Sequence, residues 1–125
     1  MFALGPATRI YLAAGVTDLR QGFDGLAALA QTVWNADPLS GHLFLFANRL
    51  RNRVKVLWWD GSGLWLCTKR LEQGRFSWPP APAEGSRGVT LSGEELALLL
   101  GGIDLAQTRR KDWWRQEAVA RGNSF

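Results

Sequence analysis

Seven basic side chains lie close together in the middle of this sequence, at spacings that could bring several of them against one polyanion. They are Arg49, Arg51, Arg53, Lys55, Lys69, Arg70 and Arg75. The first four recur at every second residue, and the arginine guanidinium offers a fork of donors that suits phosphate oxygens. The pattern favours contacts to a nucleic-acid backbone. An ordinary solvated sheet face carries similar charges, so the charges alone leave both interpretations open.

The distribution of charge along the chain adds to this indication. The 125 residues carry a formal net charge of +4, and eight of the 15 Lys and Arg residues lie between positions 41 and 90, against three acids. The first 40 residues are slightly acidic and the last 35 are balanced. A basic excess confined to one segment indicates a polyanionic partner such as DNA.

The residue sets of common catalytic sites are missing from the sequence. His42 is the only histidine and Cys67 the only cysteine, too few for a usual four-ligand zinc site. No phosphate-binding glycine loop or nucleophile elbow occurs. Asp18, Asp24 and Asp60 could in principle hold a metal, but each is better explained as a helix cap or a turn residue. We therefore predict a non-enzyme without catalytic residues, metal or cofactor.

Four tryptophans are the candidates for binding a partner. Trp59 and Trp65 flank a turn at residues 60–63, and Trp113 and Trp114 are adjacent near the C-terminus. Such side chains could stack on unpaired bases or anchor a protein partner. Packing in a core or against a partner is favoured for the C-terminal pair, because exposed tryptophans lower solubility.

The elements that must position these residues lie between residues 42 and 79. Three apolar runs at residues 42–47, 53–59 and 64–71 are separated by turn-forming residues, and a short fourth piece follows at 75–78. Runs of this length between such turns are typical of antiparallel hairpins. The sequence therefore predicts a β-sheet in this region.

Strand alternation predicts how this sheet presents its cations. Arg53 and Lys55 share a face with later apolar residues of the same strand, because side chains change face at every residue. Antiparallel pairing brings the end of the next strand, with Lys69 and Arg70, back towards them. We expect one basic cluster at this end of the sheet.

Helical patterns flank the predicted sheet. Apolar residues recur every three or four positions before residue 35, which predicts a helix over residues 24–34. Ser92 and Glu95 form a capping box, which predicts a short helix over residues 92–102. Residues 9–14 read as a short strand.

These elements predict a single small α+β domain over residues 1–104. It contains an antiparallel sheet of three to five strands in a hairpin meander, with a sheet core at 42–79, one helix packed on a face and a short C-terminal helix. Residues 79–88 are rich in proline and glycine and predict a loop. Residues 105–125 form a basic and aromatic tail that we expect to be partly disordered.

The sequence also predicts where the protein resides. No apolar run approaches the roughly 20 residues that span a membrane. The N-terminus lacks the pattern of a secretory signal. We expect a cytoplasmic protein with no membrane partner.

Four motifs give the chain a likeness to a known family. They are Thr17-Asp18, Gly22-Phe23-Asp24-Gly25-Leu26, Trp59-Asp60-Gly61-x-Gly63 and, over residues 69–79, KRLEQGRFSWP. With them, residues 15–104 resemble the TnpB accessory protein of the insertion sequence 66 family, a transposase-associated second-reading-frame protein. Leu19, Gln21 and Gly101 depart from the usual Met, Lys and Glu. The RNA-guided nuclease that is also called TnpB is a different protein.

The resemblance implies a bacterial mobile-element protein that is encoded beside a separate transposase and serves transposition. Two hypotheses follow for its molecular role. In the first, the seven basic side chains bind DNA at the element ends. In the second, the protein docks on the transposase through its tryptophans and does not contact DNA. The oligomeric state is open, and a dimer formed by strand pairing at residues 42–47 or 75–78 is one option.

Overall fold

The apolar runs of the sequence form two helices and six strands in the computed structural model, which describes residues 4–80, 86–102 and 115–118. The strands are β1 (Ile10–Leu12), β2 (Leu43–Ala47), β3 (Arg53–Trp59), β4 (Leu64–Arg70), β5 (Ser86–Leu91) and β6 (Arg115–Ala118). The helices are α1 (Phe23–Trp34) and α2 (Gly93–Leu100). All six strands join in one sheet in the order β4-β3-β2-β1-β5-β6.

One strand pair of the sheet is parallel. Strands β1 and β2 run side by side with Ile10 beside Leu43, because α1 carries the chain back to the start of the sheet between them. Strands β3 and β4 continue from β2 as antiparallel hairpins. On the other side of β1, strands β5 and β6 are also antiparallel. The sheet is therefore mixed.

Apolar groups cover both faces of the sheet around β2. All five residues of β2 are buried, so neither of its faces reaches solvent. Helix α1 packs through Leu26 and Trp34 over one face, which includes Phe44 and Leu57. Helix α2 and a loop segment that carries Phe76 cover the other face. We call these the α1 face and the α2 face.

The α+β class predicted from the sequence is confirmed. The predicted helix at 24–34 is α1, one residue longer, and the predicted strand at 53–59 is β3. The capping box of α2 is present as well: the Ser92 hydroxyl accepts the backbone N–H of Glu95 at 3.1 Å, and the Glu95 carboxylate accepts the N–H of Ser92 at 2.8 Å.

Three details of the predicted sheet were wrong. The sheet has six strands with one parallel pair, where we predicted three to five strands, all antiparallel. Residues 75–78 form no strand; instead Phe76 and Trp78 fold over the α2 face, where the Trp78 indole donates to the Ala13 carbonyl at 2.9 Å. The predicted loop at 79–88 ends early, because β5 begins at residue 86.

These corrections also change which strand edges could pair with another chain. Residues 43–47 form an interior strand between β1 and β3, and residues 75–78 form no strand. Neither offers the open edge that we expected. Of the predicted tail, Arg115–Ala118 forms β6. The expected disorder of the remainder falls on residues outside the described ones, as do Trp113 and Trp114.

Gly88 permits the close approach of β5 to β1 and α1. Its φ angle is +135°, and it lies where the pairing of β5 with β6 shifts register. A Cβ atom at this position would lie 2.8 Å from the Leu12 carbonyl oxygen and 2.9 Å from the indole nitrogen of Trp34. Only glycine fits such a site without displacing the backbone of β1.

We expect Gly88→Ala to lower the free energy of unfolding by about 3 kcal/mol, since it adds a steric clash to backbone strain. Gly61→Ala is the matched control, because Gly61 also has a positive φ angle, +103°, but has open space around it. Urea unfolding followed by circular dichroism measures both. An equal loss in the two variants would contradict the packing described for Gly88.

Candidate nucleic-acid interface

The turn between β2 and β3, which carries Arg49 and Arg51, is held by the side chain of Asn48. Its amide oxygen accepts the backbone N–H groups of Asn52 and Arg53, both at 3.1 Å. Its amide nitrogen donates to the side-chain oxygen of Asn52 at 2.8 Å. Arg51 adopts a left-handed conformation with φ of 59°. These bonds fix the geometry from which the arginine side chains extend.

The chain after β4 supports this turn from a second side. The N–H of Leu71 donates to the Asn52 carbonyl at 2.8 Å, and the N–H of Phe76 donates to the Arg51 carbonyl at 2.7 Å. Because Phe76 is itself buried in the α2-face core, the turn is tied to the core. An anion that binds here would meet an ordered backbone.

The loop before α1 is the second wall of the site. The N–H of Thr17 donates to the carbonyl of Ala47 at 2.8 Å, which places this loop beside the end of β2. Between the loop and the sheet lies an open cleft of about 630 Å³, which we call the basic cleft. Its lining comprises Val16, Thr17, Asp18, Leu19, Arg20, Asn48, Arg49, Arg53, Lys55 and Thr68. Four of these residues are cationic and one is acidic.

Lys55 ties the two walls together. Its ammonium group donates to the carbonyls of Leu19 at 2.6 Å and Gln21 at 3.3 Å. An ammonium has three donors, so these bonds leave one donor and the full charge. Lys55 therefore holds the loop against β3 and keeps the cleft positive.

Asp18 and Arg20 form an exposed ion pair in the loop wall. The guanidinium of Arg20 donates to both carboxylate oxygens of Asp18, with the shortest distance 2.8 Å. Hydrogen bonds from the Arg20 side chain and backbone lower the pKa of Asp18 to about 2, so it is ionised at neutral pH. It does not cap α1, whose N-cap is Gly22. Asp18 thus orients Arg20 and offsets part of its charge.

Two arginines face each other across β3 and β4 beside the cleft. Arg53 pairs in register with Arg70, and both lie on the α1 face because Leu57 and Leu66, further along the same two strands, pack against α1. Like charges directly opposite in a sheet are unfavourable. The charge of Arg70 is partly compensated by an ion pair with Glu72 at 3.2 Å. Arg53 is exposed at the cleft. A bound anion would relieve this repulsion.

The structure places the seven predicted cations on different surfaces of the protein. Lys69 lies on the α2 face, where its ammonium donates to the Leu100 carbonyl at 2.6 Å, at the C-terminus of α2. Such a position suits a cation, because the last carbonyls of a helix carry partial negative charge. Arg75 is exposed outside the cleft lining, and Arg51 is half-buried in the turn. Of the predicted seven, Arg49, Arg53 and Lys55 line the cleft and Arg70 lies beside it.

Sequence reasoning did not select Arg20. It lies about 30 residues before the other cations, and no local pattern links the two segments. The motif Thr17-Asp18, which contributes to the family resemblance, was the available signal for this loop. Arg20 reaches the other cations because the N–H of Thr17 bonds to the carbonyl of Ala47, a contact that forms only in the folded chain.

The predicted partner-binding tryptophans lie at the opposite end of β3 and β4. The indole of Trp65 donates to the Asp60 carboxylate at 2.8 Å, and the side chain is 47% exposed. That bond, with the N–H groups of Ser62 and Gly63, lowers the pKa of Asp60 well below its ordinary value. Trp59 is half-buried and lines a second open cleft of about 560 Å³. The turn thus holds Trp65 in place, while the register puts Trp65 on the α2 face and Trp59 on the α1 face.

The single histidine has a structural partner. His42 accepts the N–H of Arg9 through Nδ1 at 3.0 Å, and burial followed by the charge of Arg9 lowers its pKa. Within residues 4–80, 86–102 and 115–118, no three His, Cys, Asp or Glu side chains group as metal ligands. The described helices are too short or too polar to cross a membrane.

Fold and cleft together define a small α+β protein with an arginine-rich cleft at one end of its sheet. The family model of the IS66 Orf2-like proteins matches residues 8–110. The chain therefore belongs to the IS66 Orf2-like family, as the motif resemblance predicted. Membership indicates an accessory role associated with transposition of an insertion sequence. The family is not a known class of enzymes.

Two relatives cover nearly the whole chain. The uncharacterized protein y4hO of Sinorhizobium fredii is 42% identical over 119 residues, which are 95% of this chain and 99% of the relative. The uncharacterized protein y4jC of the same organism is 39% identical over 119 residues, 94% of this chain and 99% of the relative. No solved structure matches the chain significantly.

We expect Lys55→Gln to lower the free energy of unfolding by about 1–3 kcal/mol, because charged hydrogen bonds to the Leu19 and Gln21 carbonyls are lost. Arg75→Gln removes the same charge at an exposed position and should change stability by less than about 0.5 kcal/mol. Urea unfolding compares them, and hydrogen exchange reports whether residues 17–22 open. Equal stability of the two variants would contradict the role of Lys55 in holding the loop against β3.

Proposed function

We propose that this protein is a non-catalytic accessory factor that binds the DNA of its insertion sequence through the basic cleft. One observation carries the proposal: Arg20, Arg49, Arg53 and Lys55, from two distant segments, converge on one open cleft. Arginines held by an ordered turn suit phosphate oxygens, which accept forked hydrogen bonds. The protein would act in the bacterial cytoplasm, where the element and its transposase meet.

The shape of the cleft favours contacts to the phosphate backbone. Its cations come from loops and from the ends of strands, and neither α1 nor α2 presents a basic surface that could enter a groove as a recognition helix does. Backbone contacts position a protein on DNA without reading its sequence. Selection of the element ends would then depend on DNA shape or on the transposase.

Arg49→Ala/Arg53→Ala should weaken DNA binding and flatten its salt dependence. Each lost phosphate contact reduces the slope of log K against log salt by about 0.9 on duplex DNA. The charge-matched control is Lys69→Ala/Arg75→Ala, which removes two cations outside the cleft. Fluorescence anisotropy on an element-end duplex and on a scrambled duplex, across a salt series, measures both pairs.

In this experiment we expect a shallower slope for the cleft pair and an unchanged slope for the control. Equal flattening by both pairs would show dependence on net charge rather than on the cleft. Wild-type protein that binds neither duplex at low salt would exclude the proposal.

A second candidate function is docking on the transposase through the exposed indole of Trp65. The observation in its favour is the bond from Trp65 to Asp60, which holds an exposed indole in one place. Rigid aromatic side chains are common at interface hot spots. Trp65→Ala should abolish capture of the cognate transposase in a pull-down, while Arg53→Ala should retain it. Capture that survives Trp65→Ala would exclude this role for the indole.

A further inference from the structure

Strand β4 is an edge of the sheet with a full row of outward-facing backbone groups. In the part of the chain that the structure describes, β4 pairs with β3 alone. It contains no proline, and its seven residues pair with β3 without a bulge. Edges of this length are usually blocked or paired, because their free N–H and C=O groups attract another strand.

The hydrogen bonds at both ends of the β3–β4 ladder show which groups face outward. The N–H of Asp60 donates to the Gly63 carbonyl at 3.0 Å, and the N–H of Leu71 donates to the Asn52 carbonyl at 2.8 Å. Hydrogen-bonded pairs alternate along an antiparallel ladder. The bonded residues of β4 are therefore the odd-numbered ones, and the even-numbered residues direct their N–H and C=O groups away from the sheet.

A second copy of the same strand fits this edge in one full-length register. A two-fold axis perpendicular to the sheet makes the two β4 strands antiparallel and keeps both α1 faces on the same side. When the axis passes at Cys67, residue 64 pairs with the partner's residue 70, and residue 66 with the partner's residue 68. All outward-facing N–H and C=O groups of both strands are then bonded. A shift of the axis by one residue leaves some of them unpaired.

The side chains are compatible with that register. Trp65 lies opposite the partner's Lys69, a pairing of an indole with a cationic side chain that is favourable. Leu64 lies opposite the partner's Arg70. The charges at the C-terminal end of β4 thus face uncharged residues. A shift of the axis to Lys69 would place two like charges opposite each other.

We propose that the protein forms a two-fold symmetric homodimer by antiparallel pairing of β4 edges about Cys67. The dimer forms one continuous twelve-stranded sheet from two copies of the described six-stranded sheet. Both basic clefts lie on the same side of that sheet. The proposal depends on the β4 edge and not on DNA binding, so either can fail without the other.

The test combines mass measurement with crosslinking of the complete chain. The edge is small for an interface, so the measurement uses concentrated protein, about 100 μM. Sedimentation should give twice the 13.9 kDa mass of one chain. The Cα atoms of opposed residues in a non-hydrogen-bonded pair lie about 4.5 Å apart, within disulfide reach. Diamide should therefore oxidise two Cys67 thiols to a disulfide, taking up their two hydrogens, and Cys67→Ser should abolish the product.

Thr68→Pro tests the edge directly. The N–H of Thr68 faces outward, so proline there removes an intermolecular bond and leaves the β3–β4 ladder intact. We expect this variant to be monomeric and Thr68→Ala to remain dimeric. A wild-type chain that stays monomeric at that concentration, or a folded Thr68→Pro dimer, would overturn the proposal.

The register has its own test, which holds even if Thr68→Pro does not fold. Cys67→Ser/Trp65→Cys and Cys67→Ser/Lys69→Cys each carry one cysteine. Their mixture should crosslink on oxidation, and each alone should not, because residue 65 meets the partner's residue 69 only in the proposed register. A mixture that crosslinks no better than the single variants would overturn the register and with it the proposal.

Discussion

Burial of β2 on both faces is the constraint on which the rest of this structure depends. Its five residues have no exposed surface, so the sheet is stable only with a cover on each side. Helix α1 supplies one cover, and α2 with the Phe76–Trp78 segment supplies the other. Removal of apolar area from water dominates the stability of such a domain. The site residues take their positions from elements that serve this burial.

Alternation along β3 then divides the cations between the two faces. Val54, Val56 and Trp58 must face the α2-face core, so Arg53 and Lys55 must face the α1 side. Helix α1 covers the middle of that side around Leu57 and leaves the end of β3 that carries Arg53 and Lys55 for the basic cleft. Because Lys69 pairs with Val54, alternation places its side chain on the α2 face, where its ammonium donates to the Leu100 carbonyl at the C-terminus of α2. The cleft is therefore a consequence of how the core is arranged.

The sequence was informative where a pattern is local. The β3 strand, helix α1 and the Ser92–Glu95 capping box each follow from periodicity or from a motif within a few residues. The parallel pairing of β1 with β2 could not be read from the sequence, because β1 has only three residues. Strand β5 was missed because Gly88 and the preceding prolines resemble a loop. Phe76 and Trp78 read as a strand because burial against a core demands the same residue types.

For the candidate site, the difference between local and tertiary information is larger. The arginine row of the β2–β3 turn was visible in the sequence, whereas Arg20 joins it only through the backbone bond of Thr17 to Ala47. Lys69 and Arg70 are adjacent in a strand, so alternation alone places their side chains on opposite faces of the sheet. The prediction of one basic cluster considered only which strand ends lie together. The charge pattern thus identified the basic segment of the sequence. Which of its cations share a surface depends on the register of β3 with β4.

Binding of DNA through the basic cleft is tested most directly by mapping the DNA contacts with nuclear magnetic resonance. Amide shifts of the labelled protein would be followed during titration with an element-end duplex at low salt. We expect the largest shifts at residues 16–20, 48–55 and 68–70, with little change around Trp59 and Trp65. Shifts confined to residues 58–65, or no shifts at saturating DNA, would contradict binding through the basic cleft.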